Sequence, residues 1–406
     1  MIGRRSLDEN RMRSSAAEKK LGLVLSGGGA RSAYQAGALL GLGEITHKQL
    51  GRDLKFQVIC GISGGAINGT YLAAKADRLP EALRELSETW QRIGIDDIFD
   101  PKAARIFGNA TRLVLQLGGG GMFNSSPKTQ LLDTTPLVHF LLRKIDFKQL
   151  HANIKSGLLH GVAVTATNYG TGTSVAFFDG SPELQPWMRS RRVGKRTPIR
   201  LKHVLASSAI PILFPPIKVH GSYYGDGGVR MTSPLSPAIH LGSEKVIAIG
   251  VRYHRTPTQT FELNESFRMK SVQLADISGL MLNALFMDAI DSDLERMMRI
   301  NQTLNLMTEE ARREHPEKLR RIPVLAIRPS RDLGQMAADE LKHLSFVLRH
   351  FLRGLGASDH HGADLVSYLA FESSYTSRLL ELGYNDVMAD KVAILSWLQE
   401  DSQDVG

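Results

Sequence analysis

The chain has 406 residues, with 50 Lys and Arg against 41 Asp and Glu, which gives a formal charge of +9 at neutral pH. Hydrophobic residues make up 42% and charged residues 22%, a globular balance that excludes a disordered chain, a coiled coil and a collagen-like repeat. A single cysteine excludes a disulfide scaffold or a cysteine zinc cluster, and no apolar run reaches the roughly 20 residues that span a bilayer.

Residues 1–20 hold six Arg or Lys and three Asp or Glu without apolar periodicity, so a mobile basic tail is expected there. It has no apolar h-region of a secretory signal, and a cytoplasmic setting is the expectation. Two units then repeat one grammar. The first is an apolar strand, 21–26 (LGLVLS), then three glycines, then a helix from 32 (SAYQAGALLGL). The second is the strand 55–60 (KFQVIC), the turn GISGG and a helix beginning AINGTYLAA. Strand, tight turn and helix in succession predict an α/β fold with a mostly parallel sheet. Further strands are expected at 157–167, 174–179, 245–253 and 323–329. A glycine-rich loop at 117–127 (LGGGGMFNSSP) reads as a lid or a linker. One long or broken helix is expected over 272–307, and several helices over 341–399.

The second turn, Gly61-Ile62-Ser63-Gly64-Gly65, fits G-x-S-x-G between a strand and a helix. A serine on such a turn projects its oxygen above the sheet, and the helix behind it offers amides, Gly64 first, that favour negative charge. Ser63 is therefore the candidate nucleophile. Cys60, just before it, reads as a small buried strand-end residue. The first turn, Gly27-Gly28-Gly29-Ala30-Arg31, gathers backbone N–H groups in a nest suited to an oxyanion or a phosphate. Arg31 could engage an anionic head group or anchor the loop. A dinucleotide site is the rival reading, but G-x-G-x-x-G closes on Ser32, and Asp53 precedes the second strand instead of ending it. A serine needs a base. His220 and His240 flank the stretch GSYYGDGGV, and that stretch offers Asp226 between glycines.

GGGAR at 27–31, GISGG at 61–65, ASSAIPILFPPI at 206–217 and DGG at 226–228, in that order, resemble the patatin-like phospholipase family across 21–241. The resemblance implies a three-layer α/β/α fold and a Ser–Asp dyad without catalytic histidine. Ser63 would be the nucleophile and Asp226 the base, with the amides of Gly27, Gly28, Gly29 and Gly64 as oxyanion hole. It also implies acyl esters of lipids as substrates, through an acyl-serine intermediate, with no cofactor and no metal. Ser32 departs from the family, which commonly has glycine there. An isolated aspartate is a weak base, so this chemistry requires a partly dry site that raises its pKa. The alternatives in play are a Ser–His esterase or thioesterase, and a silent lipid-binding scaffold of the same fold.

The expected organisation is a tail (1–20), a catalytic domain (21–330) and a helical C-terminal extension (331–406). Positive charge also clusters at 189–202, with seven Arg or Lys and no acid, and at 312–321, with five Arg or Lys against two Glu. These clusters, and the amphipathic stretch 341–355, suit an anionic membrane surface or a solvated face. An anionic membrane is thus an expected partner beside the lipid substrate, with action at the inner membrane face, and no nucleic acid is expected.

Overall fold

A computed structural model describes residues 19–100, 131–266, 271–286, 288–314, 319–344, 346–354, 356–358 and 361–400. Most of the basic tail and the glycine-rich loop at 117–127 therefore lie outside the described residues, as does part of the 312–321 cluster.

The frame is a mixed sheet whose main path runs β10-β9-β1-β2-β3-β4-β6-β5. Its centre is parallel. β1 (Leu21–Leu25) lies between β2 (Val58–Ile62) and β9 (Lys245–Ile249), and β10 (Val324–Ile327) extends the sheet beyond β9. On the other side β2 pairs in parallel with β3 (Gly161–Asn168). Strands buried on both faces should be nearly continuous apolar runs, as LGLVL of β1 and VICGI of β2 are. Leu23, Leu25, Ile59, Ile247 and Ile249 point into one core, while Val24, Val58, Cys60, Val246 and Ala248 point into the other. Helices on both faces complete the three-layer α/β/α arrangement.

Beyond β3 the sheet turns antiparallel, through β4 (Thr173–Gly180). The basic cluster at 189–202 is not a loop: it contains most of a hairpin of β5 (Trp187–Arg189) and β6 (Arg192–Arg196) at the sheet edge. Arg and Lys on an edge strand discourage pairing with a second sheet, so this charge has a structural use that the sequence concealed. A further hairpin, β7 (Ile217–Val219) and β8 (Ser222–Asp226), attaches to the end of β3.

Helix α1 (Ala33–Leu50) follows β1, and α2 (Gly64–Ala74) follows β2. α3 (Leu79–Arg92) and α4 (Thr135–Lys144) lie in the same core. Within the expected helix over 272–307 lie α5 (Leu274–Phe286) and α6 (Asp288–Asn305). In the C-terminal extension, α7 (Phe346–Gly354), α8 (Ala363–Leu369) and α9 (Ser373–Ala389) follow. α9 packs along α1 at backbone contact: a Cβ on Gly37 would lie 2.0 Å from the Leu380 carbonyl oxygen, and one on Gly383 would lie 2.2 Å from that of Tyr34. The Tyr34 hydroxyl also donates to Asp386 at 2.9 Å. The last helices thereby share one core with the first.

Candidate active site

The site is built on one edge of β3. β2 runs parallel to β3 and ends with Ile62 opposite Thr165, while β8 runs antiparallel and ends with Asp226 opposite Ala166. Two strand ends meet at consecutive β3 residues, so Ser63 and Asp226, 163 positions apart in sequence, arrive at one point. Ser207 closes the gap between them. Its hydroxyl donates to the Thr165 carbonyl at 2.6 Å and accepts from the Ser63 amide at 2.9 Å, in place of the next ladder bond. The Thr167 hydroxyl donates to the Asp226 carbonyl at 2.8 Å, and the Asp226 amide to the Ala209 carbonyl at 2.9 Å. Ser207, Ala209 and Thr167 are the supports that motif reading missed. Ser207 and Ala209 stand within the 206–217 block that carried part of the resemblance.

Ser63 is held at φ 54 and ψ −126, on the left-handed side that non-glycine residues avoid. Strain of this kind costs of the order of 1–3 kcal/mol and persists only where neighbours enforce it. Here the enforcing contacts are the Ser207 bond before the helix and the Ser63 carbonyl, which accepts from the amides of Ala66 and Ile67.

Asp226 is fully buried. Its Oδ1 accepts from the Gly228 amide at 2.8 Å, whereas Oδ2 is buried with no hydrogen-bond partner among the described residues. Burial pushes the carboxyl up to about 7, against the opposing pull of the Ser63 hydroxyl and the Gly228 amide. Ser63 thus stands near enough to act on the carboxyl without a completed bond to Oδ2. Loose contacts of this sort are common before substrate arrives and tighten in the complex.

The histidines are elsewhere. His240 stacks on Trp187 at 4.5 Å, His220 sits at the β7–β8 turn, and the buried His203 lies tilted against Phe177 at 4.8 Å. Burial takes His203 down to about 3 and His240 down to about 4, leaving both poor proton acceptors. Among the described residues no histidine is hydrogen-bonded to Ser63 or lines the cavity beside it.

That cavity measures about 680 Å³ including its mouth, and Ser63, Gly29 and Gly64 stand at one end. Ile67, Trp90, Leu137, Phe140 and Phe214 supply apolar wall, and the far rim carries Lys144, which donates to Thr89 at 3.3 Å. Trp90 donates to Asn68, and Asn68 donates to Gln35 and to the Ser32 carbonyl. Gln35 in turn donates to the Ser26 carbonyl at 2.9 Å, so a buried polar chain runs from the cavity wall to the residue before Gly27. Ser32 itself is buried with its hydroxyl against Gly64.

Gly29 of the glycine loop and Gly64 of the serine turn line the cavity; Gly27 and Gly28 are not among its described lining residues. Gly29 has φ +56, and a Cβ there would lie 2.3 Å from the Tyr368 carbonyl oxygen of α8. Arg31 turns away from the cavity. Its Nε donates to the Ser367 hydroxyl at 2.6 Å, and its two terminal nitrogens donate to Asp364 at 2.7 Å and to Asn283 at 3.2 Å. The guanidinium also lies 4.4 Å over the Tyr368 ring. The loop is therefore anchored by α5 and α8. Cys60 is buried and unpaired, and burial pushes its thiol up, which keeps it unreactive.

No described group of acidic, cysteine or histidine residues could hold a metal ion, and no described helix is long and apolar enough to cross a membrane. The chain is similar to a probable lipid hydrolase, 463L, of Invertebrate iridescent virus 6, at 23% identity over 287 residues, covering 69% of this chain and 85% of that one. Among solved structures, human GIVD cytosolic phospholipase A2 matches at 13% identity with TM-score 0.42, and VipD of Legionella pneumophila at 13% with TM-score 0.30. They cover 95% and 90% of this chain, which spans 59% of the first and 67% of the second; neither superposes closely enough to carry a residue correspondence. The model of the patatin-like phospholipase family matches residues 23–239, more than half the chain, including β2, β3 and β8, which bring Ser63 and Asp226 together, and the chain belongs to that family.

Proposed function

We propose that the protein is a serine lipid acyl hydrolase of phospholipase A or lysophospholipase type, working through a Ser63–Asp226 dyad. The observation that carries this reading is the pairing of a strained Ser63 with the buried, unpartnered Oδ2 of Asp226 at the head of an apolar cavity.

Oδ2 takes the Ser63 hydroxyl proton as Oγ attacks the ester carbonyl carbon. The carbonyl oxygen becomes an oxyanion facing the amides of the Gly27–Gly29 loop and of Gly64, at the positive end of α2. Collapse expels the alcohol, which leaves with the proton from Asp226. Water then gives a proton to Asp226 and attacks the acyl-serine, and the fatty acid departs as Ser63 recovers its proton. A carboxyl near 7 is a competent base at neutral pH, where an ordinary aspartate near 3.9 would not be. The acyl chain occupies the cavity, whose wall is mostly apolar side chains.

The proposed substrate is a phospholipid or another acyl ester reached at a membrane surface from a reducing aqueous compartment, in keeping with one unpaired cysteine. A fluorophosphonate probe should label wild-type protein on Ser63, and neither Ser63→Ala nor Asp226→Ala should be labelled or hydrolyse lipid esters, while both keep a wild-type circular dichroism spectrum. Full hydrolysis by either variant would end the dyad reading.

A further inference from the structure

Helix α5 is apolar where it meets solvent. Leu274, Ile277, Leu280 and Met281 are 57%, 47%, 68% and 60% exposed, and Val272 precedes them, also exposed. At 100° per residue these four helical positions fall within one stripe about 120° wide, with Ala284 the only other exposed residue on it and no charge. Ala275, Gly279 and Leu282 are buried on the opposite side. Contiguous exposed apolar surface of this kind marks an interaction site more often than chance.

Two neighbours show what α5 faces. Its inner side carries Asn283, bonded to Arg31 behind the glycine loop, and the helix packs against the Gly227–Arg230 turn that follows Asp226. The helix that carries the stripe therefore adjoins both halves of the site. The surroundings are basic. Arg230 is exposed on that turn. At the other end the chain leaving α7 passes Gln273 at Gly356, and the Gly362 amide donates to Asp276 at 2.8 Å. Residues 341–354, which include α7, carry Lys342, Arg349 and Arg353 without one acid, and Phe346 there is 72% exposed. Two carboxylates at α5 are already engaged, Asp276 with His361 and backbone amides and Asp364, beside Gly279, with Arg31.

We propose that the exposed stripe of α5, bordered by Arg230 and the acid-free segment 341–354, is the face that seats this protein on a lipid surface bearing anionic head groups. The apolar side chains enter the acyl boundary, the cations meet the head groups, and the helix that rests on the lipid is the one bonded to Arg31 behind the site. The inference rests on the hydrolase reading for its purpose, but binding is measurable without turnover.

Full-length Ser63→Ala protein is mixed with phosphatidylcholine vesicles with and without phosphatidylglycerol and sedimented. Binding should require phosphatidylglycerol. It should fall about tenfold or more in a Leu280→Asp, Met281→Asp double variant and in a Lys342→Glu, Arg353→Glu double variant. With Ser63 restored, both should hydrolyse a water-soluble short-chain ester at the wild-type rate, since neither pair lines the cavity. For a readout that leaves the stripe nearly intact, Leu280→Cys is labelled with a polarity-sensitive dye, Cys60 being buried. Its emission should shift to the blue only with anionic vesicles. Unchanged sedimentation of either double variant, an unshifted dye, or a self-associated wild type that Leu280→Asp, Met281→Asp dissociates would overturn the proposal. Loss of short-chain hydrolysis in Ser63→Ala with vesicle binding intact would support the dyad and this surface separately.

Discussion

The β3 edge and the Arg31 anchor both position the site, by opposite means. At the β3 edge the backbone does the placing: two strand ends register on Thr165 and Ala166, and one hydroxyl, from Ser207, fills the missing ladder position. At the anchor, side chains do it: Arg31 reaches Asp364 and Ser367, 333 and 336 positions away, to hold a loop whose own residues are mostly glycine. A site set by strand register tolerates side-chain change around it. A site set by one guanidinium does not.

The largest expected effect tests the register side. Asp226→Asn keeps the shape and removes the base, so kcat should fall by about 10⁴-fold with KM little changed. The same change should stabilise the fold. A carboxyl at about 7 in the folded chain and near 3.9 in the unfolded one costs up to about 4 kcal/mol at neutral pH, and the amide carries no such charge. A denaturant titration showing the variant less stable than wild type at pH 8 would contradict that account.

Next comes the anchor. Arg31→Ala strips a buried charge from Asp364 and two hydrogen bonds from Ser367 and Asn283, and should cost about 3–5 kcal/mol in urea unfolding. Arg31→Lys should recover less than half, because an ammonium cannot form the planar fork. If the anchor holds the glycine loop for the transition state, kcat falls in Arg31→Lys while KM holds.

The pH dependence separates the two regions more finely. In the proposed dyad Asp226 must be a carboxylate, so kcat/KM should rise about tenfold per pH unit below 7 and level off above it. Stability should move the opposite way. The folded state keeps a proton that the unfolded chain has lost above about 4, so this group's stabilisation is full below pH 4 and gone once pH passes about 7. Asp226→Asn should flatten that slope, and Arg31→Lys should leave it.

The smallest effect is Ser207→Ala, which should cost about 1–3 kcal/mol of stability by stranding the Ser63 amide and the Thr165 carbonyl. Ser207→Thr should restore part of it in the same urea titration.

The sequence made the two βα units, the glycine turns, Ser63 and Asp226 legible, because each depends on local chemistry: short apolar runs, tight turns and a strand-to-helix elbow. The hairpins β5–β6 and β7–β8 were not legible, since strands of three to five residues, WMR, RVGKR, IKV and SYYGD, are too short to show a period. Ser207 was hidden for a different reason. It lay in a quoted block, but its role depends on a gap between β2 and β8 that exists only in the sheet. Arg31 left two readings open, and Asp364, Ser367 and Asn283, which decide its geometry, lie 252 to 336 positions away without a motif of their own.

That distance sets an order in time. Chains fold from the N-terminus as they are made, and the glycine loop, Ser63 and Asp226 have all emerged well before Asp364 and Ser367 exist. A chain ended at residue 360 holds every motif that carried the resemblance but lacks Asp364 and Ser367 behind Arg31. It should carry Ser63 and fail to react with a fluorophosphonate.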